Sequence, residues 1–204
     1  YTLISLGRDR RALVAAYRYL VMGTIGATFF LIGVGLLYMV TGTLNMADIA
    51  ERIRPLHASR PVLAAFAFIT VGLGLKLALF PLHLWLPNAY TYAPSVVTAL
   101  LAGTATKVAI YLLLRFIFTI FGPSFAFADG ALAMLLMGLA LIAIFATSTS
   151  AIFQQDAKRL LAYSSVAQMG YIVLGLSLLS LAGMTAGIVH LFNHALTKAA
   201  LFLA

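Results

Sequence analysis

Five ionisable side chains stand inside apolar runs of this sequence, where lipid would be their surroundings: Lys76, Lys107, His190, His194 and Lys198. A charged group at the bilayer centre costs at least about 2.5–3.5 kcal/mol on insertion scales, so each needs a compensating partner or a task. His190, His194 and Lys198 are spaced by four, drift by only about 40° per step and therefore share one helical face. Neighbouring rungs lie about 6 Å apart along the axis, a gap that one water molecule bridges. Asn193 flanks the row and can hydrogen-bond to such water. Imidazole accepts and donates on opposite ring nitrogens, and a lysine desolvated among apolar helices can release its proton. The chemistry this pattern suits is a proton relay. The competing reading is polar glue between packed helices.

Lys107 lies inside the long helix-like run from Ala93 to Phe121. Lys76 precedes Pro81 by five residues and has two readings. It snorkels to the interface, or it sits near mid-depth at the C-terminal end of a half-helix, where the dipole and free carbonyls stabilise a cation. The second requires Pro81–Asn88 to be a loop held inside the bilayer. His83, between Pro81 and Pro87, is either a relay member or a cap for loop carbonyls. Arg115 reads as a snorkelling residue, Tyr163, Ser164, Ser165 and Gln168 as polar lining near one membrane face, and Asp156, Lys158 and Arg159 as a surface turn.

The elements that position these groups follow from composition. Of 204 residues, 63% are hydrophobic and 9% charged, against about 25% charged in soluble domains. Lipid must be the solvent for most of this surface. Without cysteine, disulfides and thiolate metal ligation are excluded. No phosphate-cradling loop, His-Glu-x-x-His helix or nucleophile elbow is present, no metal site or cofactor is expected, and nucleic acid is not an expected partner despite the net charge of +8. The positive residues sit mainly in short links, which reads as a positive-inside bias.

Apolar runs near the roughly 20 residues needed to span a bilayer cover Tyr19–Val40, Pro61–Phe80, Ala93–Phe121, Ala131–Phe153, Leu160–Leu179 and Met184 onward. Gly23, Gly26, Gly33 and Gly35 are expected helix-contact points in the first span. Asn45-Met46-Ala47-Asp48 reads as the start of a short surface helix. Prolines at both ends of Pro81–Asn88 argue against regular helix there. The Ala93–Phe121 run is about 43 Å long at 1.5 Å per residue, and a break near Gly103 is the favoured solution. Placing the Arg8–Arg18 link in the cytoplasm puts the Asp48–Arg60 and Gly122–Asp129 links outside and returns Lys158-Arg159 to the cytoplasm. The expected architecture is all-α: a polytopic transmembrane helix bundle with one broken helix. It forms a single transmembrane domain over residues 1–204 and reads as a fragment cut within a helix at both ends.

Three segments also carry a family resemblance: the stretch from Lys76 through PLHLWLPNAYTYAPSVVTALLAGTATKVAIYLLLRF, then QQDAKRLLAYSSVAQMGYI (Gln154–Ile172), then HLFNHALTKAALFL (His190–Leu203). Together they resemble the antiporter-like membrane subunits. That superfamily spans the proton-pumping subunits of respiratory complex I (NADH:quinone oxidoreductase), membrane-bound hydrogenases and Mrp-type cation/proton antiporters. The resemblance implies that Lys76 belongs to the first broken helix, Lys107 to a central connection, and His190, His194 and Lys198 to a central relay. It also implies a glutamate partner for Lys76 on the helix of which Tyr1–Gly7 is the stub. LPNAYTYAPS and GTLNMADIAERI look most like the D-type antiporter subunit. The implied function is proton movement in exchange for Na⁺, within a hetero-oligomeric complex of the bacterial inner membrane. The alternative is a proton-pumping subunit of a quinone oxidoreductase, and a third reading is a non-conducting scaffold subunit.

Overall fold

The computed structural model describes residues 1–7, 9–128 and 130–204. Arg8, in the first basic link, and Asp129, ahead of the fourth span, lie outside the described residues. Thr2–Ser5 forms the short α1 and Arg10–Thr41 the 32-residue α2. The basic stretch is thus not a link throughout: Arg10, Arg11 and Arg18 stand on the first turns of α2. No proline or glycine interrupts residues 10–22, so helix propagates through the charges at one added bond per residue. Met46–Arg52 is α3, on the expected surface position, with the Asn45 side chain accepting from the amides of Ala47 and Asp48. Arg52 closes the junction by donating from Nη1 to Thr41 O, 2.8 Å away.

Arg60–Lys76 is α4. Its 17 residues make about 26 Å, short of a full span. After a bend through Leu77–Leu84 comes α5, Trp85–Tyr92. The expectation that Pro81–Asn88 is non-helical throughout is therefore wrong in its second half. Pro87 occupies the third position of α5, where the missing amide would have had no intrahelical partner. Together α4, the bend and α5 are the one broken helix.

Ser95–Leu114 is α6, and it runs on through a π-helical turn, Arg115–Phe121. The 27-residue unit is one continuous span with no break at Gly103. Gly103 is there for contact instead: a Cβ on it would sit 3.4 Å from Ala199 Cβ and 3.7 Å from Ala195 O of the last helix. Arg115, at the start of the π turn, is exposed. Pro123–Ala126 is α7, Ala131–Ile152 α8, Ala157–Ser177 α9 and Leu181–Leu203 α10. Among the described residues, five helices are long and apolar enough to cross a membrane: α2, α6 with its π turn, α8, α9 and α10.

α2 packs along α4, α8 along α9, and α10 against both α9 and α6, while the short α5 touches α2, α6 and α9. At the α2–α4 crossing the backbones nearly touch. A Cβ on Gly26 would meet Gly72 O at 3.1 Å, and one on Gly72 would meet Gly26 O and Phe30 N at 2.7 Å. Gly26 and Gly33 are therefore contact points as expected, but Gly23 and Gly35 meet nothing within 4 Å: Gly35 falls on the opposite face of the helix from Gly26, and Gly23 opens on a cavity beside Leu75 and Trp85.

The ends of the helices fall on two faces. Lys158 Nζ donates to Ala93 O, 3.3 Å away, joining the start of α9 to the start of α6. Arg10, Arg11 and Arg18 share a cavity with Asn88 and Tyr92 at the end of α5. At the other face His57 lies against Phe125, with ring centroids 4.6 Å apart. This is the pairing of links that the charge count requires. The Asp156–Arg159 segment, however, is more than a surface turn: Asp156 caps α9 by accepting from Arg159 N at 3.1 Å, and Lys158 is a half-buried tie between helices.

Trp85 anchors the broken helix. Its Nε1 donates to Leu75 O at 2.9 Å, fastening α5 to the last turn of α4. Trp85→Phe keeps an aromatic ring but loses that bond and part of the buried indole, so the thermal midpoint of the purified full-length protein should fall by an amount equivalent to at least about 1 kcal/mol. An unchanged midpoint would mean the tie contributes nothing.

Candidate functional site

The buried apolar side chains fall into two clusters. One holds Ile69 and Leu73 of α4, Ala109 to Leu113 of α6 and Met169 to Leu176 of α9. The other holds Ala78, Trp85 to Tyr90, Ala99 and Ala102 of α6, Ala162 and Val166 of α9, and Phe202 of α10. Between them, along α6 and α10, lie the buried polar groups Thr106, Lys107, His194 and Lys198, with Ser165 of α9 set in the second cluster. An apolar bundle is thus interrupted at one level by amines, imidazoles and hydroxyls.

Lys107 is 8% exposed. It shares the face of α6 with Gly103, turned toward α10, and its ammonium donates to Ala102 O and to Thr106 Oγ1. Lys198 is 3% exposed and crosses to α9, where its ammonium donates to Leu161 O at 2.9 Å. The partners the structure gives both ammoniums are neutral oxygens. Uncompensated buried cations are expensive, and each of these ammoniums is held by neutral oxygens alone among the described residues.

On α10 the rings of His190 and His194 are parallel, with an interplanar angle of 5° and centroids 6.1 Å apart, as the four-residue spacing requires. His190 is half-buried, and its Nε2 lies 2.6 Å from Gln168 Oε1 on α9. A carbonyl oxygen only accepts, so Nε2 carries the hydrogen, leaving Nδ1 of the neutral ring as its acceptor. His194 is 4% exposed, and neither of its ring nitrogens has a hydrogen-bond partner among the described residues. Buried imidazole nitrogens are ordinarily bonded, and His194 is the buried ring of the row with both nitrogens unpartnered among the described residues. It lies within electrostatic range of Lys107, Lys198 and His190. Beside His190 a cavity of about 420 Å³ opens between α9 and α10, lined by Gln168, Tyr171 and Gly187.

Four of the five expected residues therefore converge. Lys76 does not. It ends α4 as expected, but it is exposed and lines a separate cavity of about 350 Å³ with Tyr19, Trp85 and, across it, Ala105 and Val108 of α6. That wall is the side of α6 away from Lys107. Nor do free carbonyls surround Lys76. Leu73 O accepts from Leu77 N, Gly74 O from Leu79 N, and Leu75 O from Ala78 N and the Trp85 indole. The left-handed conformation of Ala78, φ 59°, folds these amides back and closes the helix end.

His83 is buried at 6% exposure and stacks on Phe80 with centroids 5.1 Å apart, and its Nδ1 has no partner among the described residues. Asn193 is exposed, pointing away from the buried row. Gln168 reads in the sequence only as polar lining, and Thr106 carries no signal there. Gln168 and His190 are 22 residues apart, and only the pairing of α9 with α10 brings them together. Among the described residues no cluster of three or more His, Cys, Asp or Glu could hold a metal ion.

Comparison with known proteins agrees with this architecture. A family model described as "NADH:quinone oxidoreductase/Mrp antiporter, TM" matches residues 1–204. Over 202 residues the chain is 48% identical to the N-type subunit of an NADH-quinone oxidoreductase from Desulforudis audaxviator, covering 99% of this chain and 40% of that protein. It is 35% identical to the D-type subunit of a Na(+)/H(+) antiporter from Alkalihalophilus pseudofirmus, covering 100% of this chain and 40% of that protein. The chain thus spans about two-fifths of the length of these relatives. A chain in the structure of the Mrp complex from Dietzia sp. DQ12-45-1b superposes with a TM-score of 0.84 at 32% identity, over 96% of this chain and 35% of that one. With its whole length matched by one family model, and its helices superposing on a solved relative, this multi-pass membrane chain belongs to the NADH:quinone oxidoreductase/Mrp antiporter transmembrane family.

Proposed function

We propose that residues 1–204 form one transmembrane domain of a proton-translocating subunit, in which Lys107, His194, His190 and Lys198 pass the proton. One observation carries the reading: two amines and two imidazoles meet at the level where the apolar core divides, with neutral hydrogen-bond partners for both lysines. Lys76, in its own cavity on the far side of α6, is the way in, reached from water before the proton crosses to Lys107. His83 and Asn193 stand outside this route as lining. The protein works within a hetero-oligomeric assembly of the bacterial inner membrane, with other membrane subunits as partners, and exchanges protons for a monovalent cation, Na⁺.

A second reading keeps the same relay but drives it by electron transfer in a neighbouring soluble arm. The 48% identity to the quinone oxidoreductase relative favours this reading, against 35% for the antiporter relative. The two separate in proteoliposomes holding the intact complex and no electron donor. In the antiporter a Na⁺ gradient alone drives proton movement, reported by an internal pH-sensitive dye. No response to the gradient, with proton uptake restored by NADH and quinone, would replace it with the redox-driven reading. His194→Leu should lower flux by about 100-fold in either case, and undiminished flux would remove His194 from the path.

A further inference from the structure

Away from the relay, on the face where α2 begins, Arg10, Arg11, Arg18, Asn88 and Tyr92 line a cavity of about 300 Å³. Arg11 and Arg18 are seven residues apart and fall on one face of α2. Three arginines line the cavity, and among the described residues no carboxylate lines it. Such a fork-bearing cluster is matched to phosphate oxygens.

Arg18 also belongs to a second, adjoining cavity of about 280 Å³, which is apolar and lined by Tyr17, Val21, Met22, Leu84 and Trp85. Its wall carries large apolar surface: Tyr17 is 67% and Leu84 71% exposed. The two cavities differ in character and meet at one arginine. Arg18 lies eight residues beyond Arg10, or about 12 Å along the axis, so the pair straddles the passage from the headgroup layer into hydrocarbon. Tyrosine and tryptophan rings at that depth are the usual residents of the membrane interface.

The geometry points to a binding site for an anionic phospholipid, its phosphate held by Arg10, Arg11 and Arg18 and an acyl chain laid along Val21, Met22 and Leu84. A soluble phosphate would satisfy the arginines and leave the groove unused, and a zwitterionic lipid would fill the groove while its own cation offset the arginines. The site ties α2 to α5, so an occupant would brace the inner end of the broken helix.

The test uses the full-length protein in its complex, purified in detergent. Native mass spectrometry reads retained phosphatidylglycerol, phosphatidylcholine and inorganic phosphate, each offered at equal concentration. Phosphatidylglycerol is expected to be retained well above phosphatidylcholine. Arg11→Gln with Arg18→Gln should weaken it by about 25-fold, taking roughly fivefold per arginine near an anionic headgroup. Met22→Trp, which fills the groove and leaves every charge in place, should also lower retention. Equal retention of the two lipids overturns the proposal, whatever the variants do. So does phosphatidylglycerol retained at wild-type level in the double arginine variant. Phosphate competing as well as lipid, with Met22→Trp unaffected, would reduce the site to a soluble-anion pocket.

Discussion

Lys107→Ala in the intact complex is expected to cut proton flux by about 100-fold or more, the scale of a lost acid–base group, while the complex still assembles. Assembly survives because the residue's ammonium is buried against Ala102 O and Thr106 Oγ1, with no carboxylate to strand among the described residues. Removing such a group relieves desolvation as much as it loses bonding. Lys107→Arg sharpens the result. Arginine keeps the positive charge and reaches comparable acceptors, but it does not give up its proton in proteins. If Lys107 works as a fixed charge, the arginine variant conducts. If it works by exchange, that variant is as silent as alanine. Flux is measured by dye quenching in proteoliposomes, and assembly by size-exclusion chromatography. Full flux in both variants would leave the scaffold reading standing.

The second large effect concerns the frame that holds α4. Gly72→Leu should lower the stability of the folded protein by about 3 kcal/mol, near the upper end for overpacking. A side chain there meets backbone atoms, Gly26 O and Phe30 N at 2.7 Å, which cannot swing aside. Helices α2 and α4 would have to part, carrying with them the Lys76 cavity and the Trp85–Leu75 tie. Gly23→Leu and Gly35→Leu, with nothing within 4 Å of either, are the matched controls and should shift the thermal midpoint little in the same preparation. Equal losses at all three positions would show that helix flexibility, and not close approach, is what the glycines provide.

Much of this organisation is written locally. A run of apolar side chains near the length of a bilayer has few options besides helix, since every backbone amide must find its partner within the segment. Accordingly α8 and α9 begin and end within a few residues of their apolar runs. The Asn45 cap of α3 is legible for the same reason, its partners lying two and three residues away. So is the His190–His194–Lys198 row, since spacing by four fixes a common face whatever surrounds the helix.

Other features depend on which helix lies opposite, which no local pattern encodes. Gly103 has the signature of a break yet serves as a contact, because α10 presents Ala195 and Ala199 there. The real interruption lies between α4 and α5, where Ala78 turns left-handed and the amides of Leu77, Ala78 and Leu79 take up the helix-end carbonyls. The local pattern alone would leave those carbonyls free for Lys76. The same limit separates the lysines: α6 turns Lys107 toward α10 and its opposite side toward Lys76, so two residues alike in sequence lie on opposite sides of one helix, Lys107 buried and Lys76 lining a cavity. Secondary structure in a membrane is decided by a segment's own hydrogen bonds. Which side chains share a site is decided by rotation and pairing of whole helices, where the energies are those of packing between residues far apart in the chain.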